Sequence, residues 1–233
     1  MSVFAFTARE KEILRILEII YPYRENFVVI GGYAVDAYSQ LPRYSIDCDV
    51  VITKRELSTF SGIFSKEGFS GNLLYENELE GLETRRFEKN IEENPVFIDL
   101  LVDGVRCRQT EAVWKFEEIK KASSLGKIIG VSSFVNSSVA SRELLIAMKL
   151  HSGRDSDLKD AAMLIDDVSW QKLVSHAVRG SNEKLGKQLS SAVKRMQAKD
   201  FEPQLKSFFG LRKGESRRVS ETISVIERLS KLV

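Results

Sequence analysis

Two aspartates stand two residues apart in the stretch RYSIDCDVVI, Arg43 to Ile52. Ile46, Val50, Val51 and Ile52 are β-branched, which predicts a strand. Side chains alternate across a strand, so Asp47 and Asp49 leave it on one face. A third acid, Asp99, sits between Ile98 and Leu100 in VFIDLL, where an unpartnered carboxylate would be costly. If the two strands are neighbours, three carboxylates share one site. They repel one another unless something positive stands among them. Hard oxygen donors suit Mg²⁺, and a pair of such ions clamping phosphate oxygens is an arrangement for in-line phosphoryl displacement. The plainer readings are surface acids on an edge strand for Asp47 and Asp49, and a structural ion pair with Arg85 or Arg86 for Asp99.

A second feature precedes the acids. FVVI is a short apolar strand closed by Gly31 and Gly32, and YAVDAYSQL follows as a helix that stops near Pro42. Backbone N–H groups at such a helix start can approach an anion without obstruction, and the helix dipole favours negative charge there. Gly-Gly and the acidic strand thus belong to one strand–helix–strand unit. Asp36 reads as a solvated or capping acid of that helix.

The remaining elements must hold these groups in place. Thr7 and Glu10 have the form of a capping box, and Ile13, Leu14, Ile16, Leu17, Ile19 and Ile20 recur at helical spacing. KRELSTFSGIFSKEG predicts a helix ending at Gly68. Residues 71–82 are ambiguous, and TRRFEKN reads as an exposed strand. VFIDLLVDGVRCR has the pattern of a hairpin turned at Asp103–Gly104. KIIGVSSFV reads as extended. SSVASRELLIAMKLHSGRDSDLKDAAMLIDDV predicts two helices broken near Ser152–Gly153. Beyond it the chain is helical, with apolar stripes at Leu185, Leu189, Val193 and Met196 and at Val219, Ile223, Ile226 and Leu229.

Composition is that of an ordinary globular chain, with 43% hydrophobic and 29% charged residues over 233 positions. No signal peptide or membrane-length apolar run is seen, so a cytoplasmic protein is expected, with no membrane partner. Cys48 and Cys107 are too few for a disulfide framework and read as small core residues. His151 and His176 are lone and suggest no metal. The net charge of +2 conceals an asymmetry: residues 171–233 carry 14 Lys and Arg against 6 Asp and Glu, and residues 1–170 carry 21 against 27. A net +8 tail can attract a polyanion.

GGYAVDAYSQLPRYSIDCDVVI, with Asp99 downstream, resembles the signature of the DNA polymerase β-like nucleotidyltransferase superfamily. The Arg43-x-Ser45-x-Asp47-x-Asp49 form looks most like nucleotidyl transferase toxins of the AbiEii type, and AMKLHSGRDSDLKDAAML is similar to their downstream helical motif. The likeness spans roughly residues 27–165. Tyr33 stands where the family often has Ser or Thr, and the segment from Gly32 to Asp47 is about one residue longer than in relatives.

The resemblance implies an α+β fold, a mixed sheet flanked by helices, over residues 1–125, then a mainly helical region over 126–233 that is basic after about 171. It implies a Mg²⁺-dependent enzyme, with two ions, that moves a nucleoside monophosphate from ATP or another NTP to an acceptor. Asp47, Asp49 and Asp99 would bind metal, and Asp99 would help deprotonate the acceptor. Gly31, Gly32, Tyr33, Arg43, Ser45 and Arg154 would meet the nucleotide, and Lys149 its phosphates. Asp157 and Asp160 would complete the site or orient Lys149 and Arg154. RNA such as tRNA, reached through the basic tail, or a protein would be the acceptor, and a toxin role would bring an antitoxin protein as partner. Two other readings stand beside this one: a nucleotide- or RNA-binding regulatory module with little catalysis, and a small-molecule, antibiotic-type nucleotidyltransferase.

Overall fold

The computed structural model describes residues 3–41, 45–77, 80–91, 94–211 and 215–233, with residues 3–6 described by backbone alone. Two compact units emerge. The first comprises Met1–Val105 and Trp114–Ala140, the second Arg106–Val113 and Ser141–Val233.

The first unit is built on a mixed seven-stranded sheet. In chain order its elements are α1 (Val3–Ile20), β1 (Phe27–Ile30), α2 (Gly31–Ser39), β2 (Asp47–Ile52), α3 (Leu57–Lys66), β3 (Ser70–Asn77), β4 (Leu82–Ile91) and β5 (Asn94–Val102). A short ribbon pairs β6 (Gly104–Arg106) with β7 (Val113–Lys115), and α4 (Phe116–Lys121), β8 (Ser123–Ile129) and β9 (Phe134–Ala140) follow. The sheet order is β3-β4-β5-β2-β1-β9-β8. β1 lies antiparallel to β2, and β2 lies parallel to β5. β2 and β5 are therefore interior strands, and their apolar residues Val50, Val51, Ile52, Ile98, Leu100 and Val102 are at most 1% exposed. On one face Phe27, Phe60, Phe64 and Phe87 stack edge to face, with centroids 5.1–6.3 Å apart. Phe87 pairs with Ile98, so alternation sends Asp99 to the opposite face. One face is thus a sealed aromatic core and the other carries the acids.

Three local expectations are corrected. The helix α1 runs back to Val3, so Thr7 lies inside it, where no orphan N–H awaits a cap. SSVA ends strand β9 and does not start a helix. Asp103–Gly104 does not close a hairpin. Both edges of β5 are already taken, by β2 and β4, and β6 turns away to pair β7. Asp103 adopts φ 60° and serves the turn otherwise: its N–H donates to Ile52 O at 2.8 Å, and its Oδ1 accepts from Lys54 N at 2.8 Å.

The second unit holds α5 (Arg142–Ser152), α6 (Asp155–Met163), α7 (Trp170–Ala177), α8 (Asn182–Met196), α9 (Phe201–Phe208) and α10 (Ser216–Ser230). The break between α5 and α6 falls where Gly153 takes φ 62° as the helix cap. Leu185, Leu189 and Met196 of α8, and Val219, Ile226 and Leu229 of α10, are buried. No helix among the described residues is long and apolar enough to cross a membrane.

His151 belongs to this core. It is fully buried; its Nε2 donates to Ala177 O at 2.8 Å, and its Nδ1 lies 2.5 Å from Thr110 Oγ1. Burial, with the nearby charge of Arg179, pulls its pKa from 6.5 down to about 4. The unfolded chain therefore takes up this proton first, and stability is lost as pH falls from 6.5 to about 4. The loss should amount to about 3 kcal/mol. Denaturant titrations at several pH values should show this slope, and His151→Leu should flatten it. An unchanged slope in the variant would contradict the assignment.

Candidate active site

The acids gather because of strand register. Asp49 of β2 lies directly opposite Asp99 of the parallel β5, and Asp47 lies opposite Phe97. Asp47 and Asp49 share the face that Asp99 occupies. Cys48, between them, points into the core at 1% exposure. Burial pushes its thiol pKa well up, and the charges of Asp49, Asp47 and Asp99 push it further. Ser45 steadies the entry to β2 by donating to Asp47 O at 3.1 Å. Arg43 lies outside the described residues.

The glycine pair supplies the second wall. β1 passes straight into α2, and Ile30, the last residue of the strand, pairs with Asp49. Gly31 adopts φ 66°, and a Cβ there would overlap the Asp49 carboxylate. Glycine is thus required twice, for its backbone and for the room it leaves. The orphan N–H groups of the helix start stand beside this acid. Tyr33 is 3% exposed and Asp36 2% exposed. Tyr33 is therefore packed into the protein, and Asp36 is not the solvated helix acid that its sequence position suggests.

Among the acids stands a cation that belongs to the chain. Arg86 of β4 pairs with Asp99 across the sheet. Its Nε donates to Asp99 Oδ1 and its Nη2 to Asp99 Oδ2, both at 2.7 Å. The same Nη2 lies 3.6 Å from Asp47 Oδ2, and the guanidinium carbon sits 4.8 Å from the Phe97 ring centroid. The pairing with Asp99 raises the Arg86 pKa further, so it remains a cation. Arg85, one residue earlier, leaves on the other face and joins Lys54 on the buried Glu83. Of the two arginines weighed as partners for Asp99, register selects Arg86. The link from Arg86 to Asp47 has no local signal in the sequence.

The donor chemistry fits a divalent cation: three carboxylates on one face, two of them in register. Their present arrangement is closed by Arg86, and no group of three or more His, Cys, Asp or Glu among the described residues stands ready as a cage.

The second predicted block lies in the second unit. Lys149 of α5 stands 2.8 Å from Asp157 Oδ1 and 2.8 Å from Asp160 Oδ2 of α6. Ser152 Oγ and Arg154 Nε each donate to Asp157 Oδ2 at 2.6 Å. Lys149, Asp157 and Asp160 are buried, whereas the Arg154 side chain is 70% exposed. Burial opposes ionisation of Asp157. The Lys149 charge, helped by hydrogen bonds from Arg154, Lys149 and Ser152, outweighs it and brings the pKa down to about 2. The two carboxylates thus hold Lys149 and clamp α5 to α6.

No family model matches the sequence, and no curated protein matches it. Solved structures do. The chain is similar to a Helicobacter pylori protein assigned as a nucleotidyltransferase, at 14% identity and TM-score 0.51, covering 100% of this chain and 97% of that one. It is similar to JHP933 from Helicobacter pylori at 14% identity and TM-score 0.52, covering 100% and 94%. The antibiotic-resistance factor ANT(2'')-Ia matches at 14% identity and TM-score 0.49, covering 73% and 90%.

Two outcomes follow. Gly31→Ala should destabilise the protein by about 2 kcal/mol through positive-φ strain and the clash with Asp49; an unchanged urea midpoint would refute the close approach. Asp157→Asn should cost about 3 kcal/mol by leaving buried Lys149 short of a counter-charge. Because the folded pKa lies below the ordinary 3.8, the wild-type contribution holds above that value and fades as pH falls towards about 2. The gap between wild type and variant in denaturant melts should close over that window. With sheet order, glycine turn and acidic register in place, the chain has the α+β fold of a nucleotidyltransferase.

Proposed function

We propose that this chain is a Mg²⁺-dependent nucleotidyltransferase that moves a nucleoside monophosphate from an NTP to RNA. The observation that carries the reading is the register of Asp49 with Asp99, with Asp47 on the same face and the Gly31–Gly32 helix start alongside. Asp47, Asp49 and Asp99 would hold the metal, which when bound neutralises charge on the attacking and leaving oxygens. The chain's own groups do the rest. Backbone N–H groups at Gly31 and Gly32 receive the triphosphate. Asp99 takes the proton of the acceptor hydroxyl. The acceptor oxygen then bonds to the α-phosphorus, the bond to the β-phosphate oxygen breaks, and pyrophosphate leaves with the electron pair. Positioning and charge neutralisation do most of this work.

The RNA acceptor is favoured by the net +8 of residues 171–233, since phosphate contacts dominate nucleic-acid affinity. A toxin role with an antitoxin partner rests on the likeness of the Asp47 and Lys149 sequence blocks. A second reading, a nucleotide-binding regulatory module, is favoured by one observation: Arg86 occupies both oxygens of Asp99.

The test is a transfer assay with Mg²⁺, each α-³²P-labelled NTP, and total tRNA, total protein, small antibiotics or the chain alone as acceptor. Label should appear on tRNA and fall by at least about a hundredfold in Asp47→Ala/Asp49→Ala. Label on a small molecule or a protein alone would overturn the RNA acceptor. Absence of label on every acceptor, with nucleotide still bound, would favour the regulatory module.

A further inference from the structure

We propose that Arg86 is a built-in counter-ion of the carboxylate site that a divalent metal must displace, so that this one side chain sets how tightly metal loads. The inference rests on the metal-dependent reading above. The Arg86 guanidinium meets both oxygens of Asp99 at 2.7 Å and approaches Asp47 at 3.6 Å. Those are the oxygens a metal would take. A bidentate guanidinium uses the carboxylate lone pairs that face it, and it has only donors to offer. Metal and Arg86 therefore compete at Asp99, for the lone pairs that face the guanidinium and through like charge.

The pair is also built to open. The Arg86 side chain is 31% exposed and that of Asp47 43% exposed, against 11% for Asp99, so water reaches the guanidinium from the Asp47 side and weakens that contact. Phe97, opposite Asp47 in the register, lies beneath the guanidinium. The stacking is made while Arg86 holds Asp99, so it adds to the closed state that metal must open. Arg86 can leave Asp99 without unfolding β4, whose backbone pairs with β3 and β5 on either side.

A simple positioning role makes the opposite prediction. If Arg86 stays in place and merely orients Asp99, its removal should weaken metal binding. If it competes, removal should tighten binding. The experiment is titration of the full chain with Mn²⁺ alone, without nucleotide, reading free Mn²⁺ by electron paramagnetic resonance. Wild type, Arg86→Gln, Phe97→Leu and Asp49→Asn are compared. Arg86→Gln should bind Mn²⁺ about tenfold more tightly than wild type, the scale of one partly screened charge. Phe97→Leu, which removes only the platform, should shift the same way by less, and it carries the test if Arg86→Gln does not fold. Asp49→Asn should abolish binding. Equal or weaker Mn²⁺ binding in Arg86→Gln, with Asp49→Asn still abolishing it, would overturn the competition alone. Mn²⁺ binding indifferent to Asp49→Asn would instead overturn the metal-site reading on which it rests.

Discussion

Crowded negative charge is the constraint around which the first unit is arranged. Parallel pairing of β2 and β5 sets Asp49 against Asp99, with Asp47 two residues away on the same face. In a sheet of ordinary design such neighbours would be selected against, because like charges across a strand pair are destabilising. Each neighbour here answers that repulsion. Gly31 leaves the place of a side chain to the Asp49 carboxylate, and Arg86 brings a positive charge to Asp99 and Asp47. The energetic tension is local, and the aromatic and aliphatic packing on the opposite face holds the strands that impose it.

That division of labour between faces explains the strand compositions. On β5, Ile98, Leu100 and Val102 are buried in the core while Asp99 meets Arg86 on the other side. On β2, Cys48 is buried between two acids and is kept protonated by the surroundings that keep it hidden. On β4, alternation sends Arg86 to the acids and Phe87 to the aromatic cluster. The second unit makes a different use of charge. There Lys149, Asp157 and Asp160 are buried together, and the cation and its acids are matched within the helical core.

Much of this was legible in the sequence where a signal is local. β-branched residues around Asp47 and Asp49, the Gly-Gly pair after FVVI, and the break at Gly153 each announce their own backbone. The α+β class came with the family resemblance that these signals carry. What escaped was decided by distant partners. Asp103–Gly104 carries a good turn signal, yet whether a turn makes a hairpin depends on a free strand edge, and β5 has none. Arg85 and Arg86 are neighbours of one type, and only the register of β4 on β5 tells which one reaches Asp99. Asp36 sits in a polar-looking helix position, and its burial depends on what packs over α2. Thr7 and Glu10 formed a cap pattern that the upstream helix made redundant.

The most direct measurement is a crystal of the full chain soaked with Mn²⁺ and a non-hydrolysable NTP, with anomalous diffraction collected at the manganese edge. The account predicts anomalous density bounded by Asp47, Asp49 and Asp99, the triphosphate at the Gly31–Gly32 helix start, and Arg86 withdrawn from Asp99. Nucleotide bound elsewhere, or no manganese at these carboxylates while Arg86 keeps both bonds to Asp99, would contradict it.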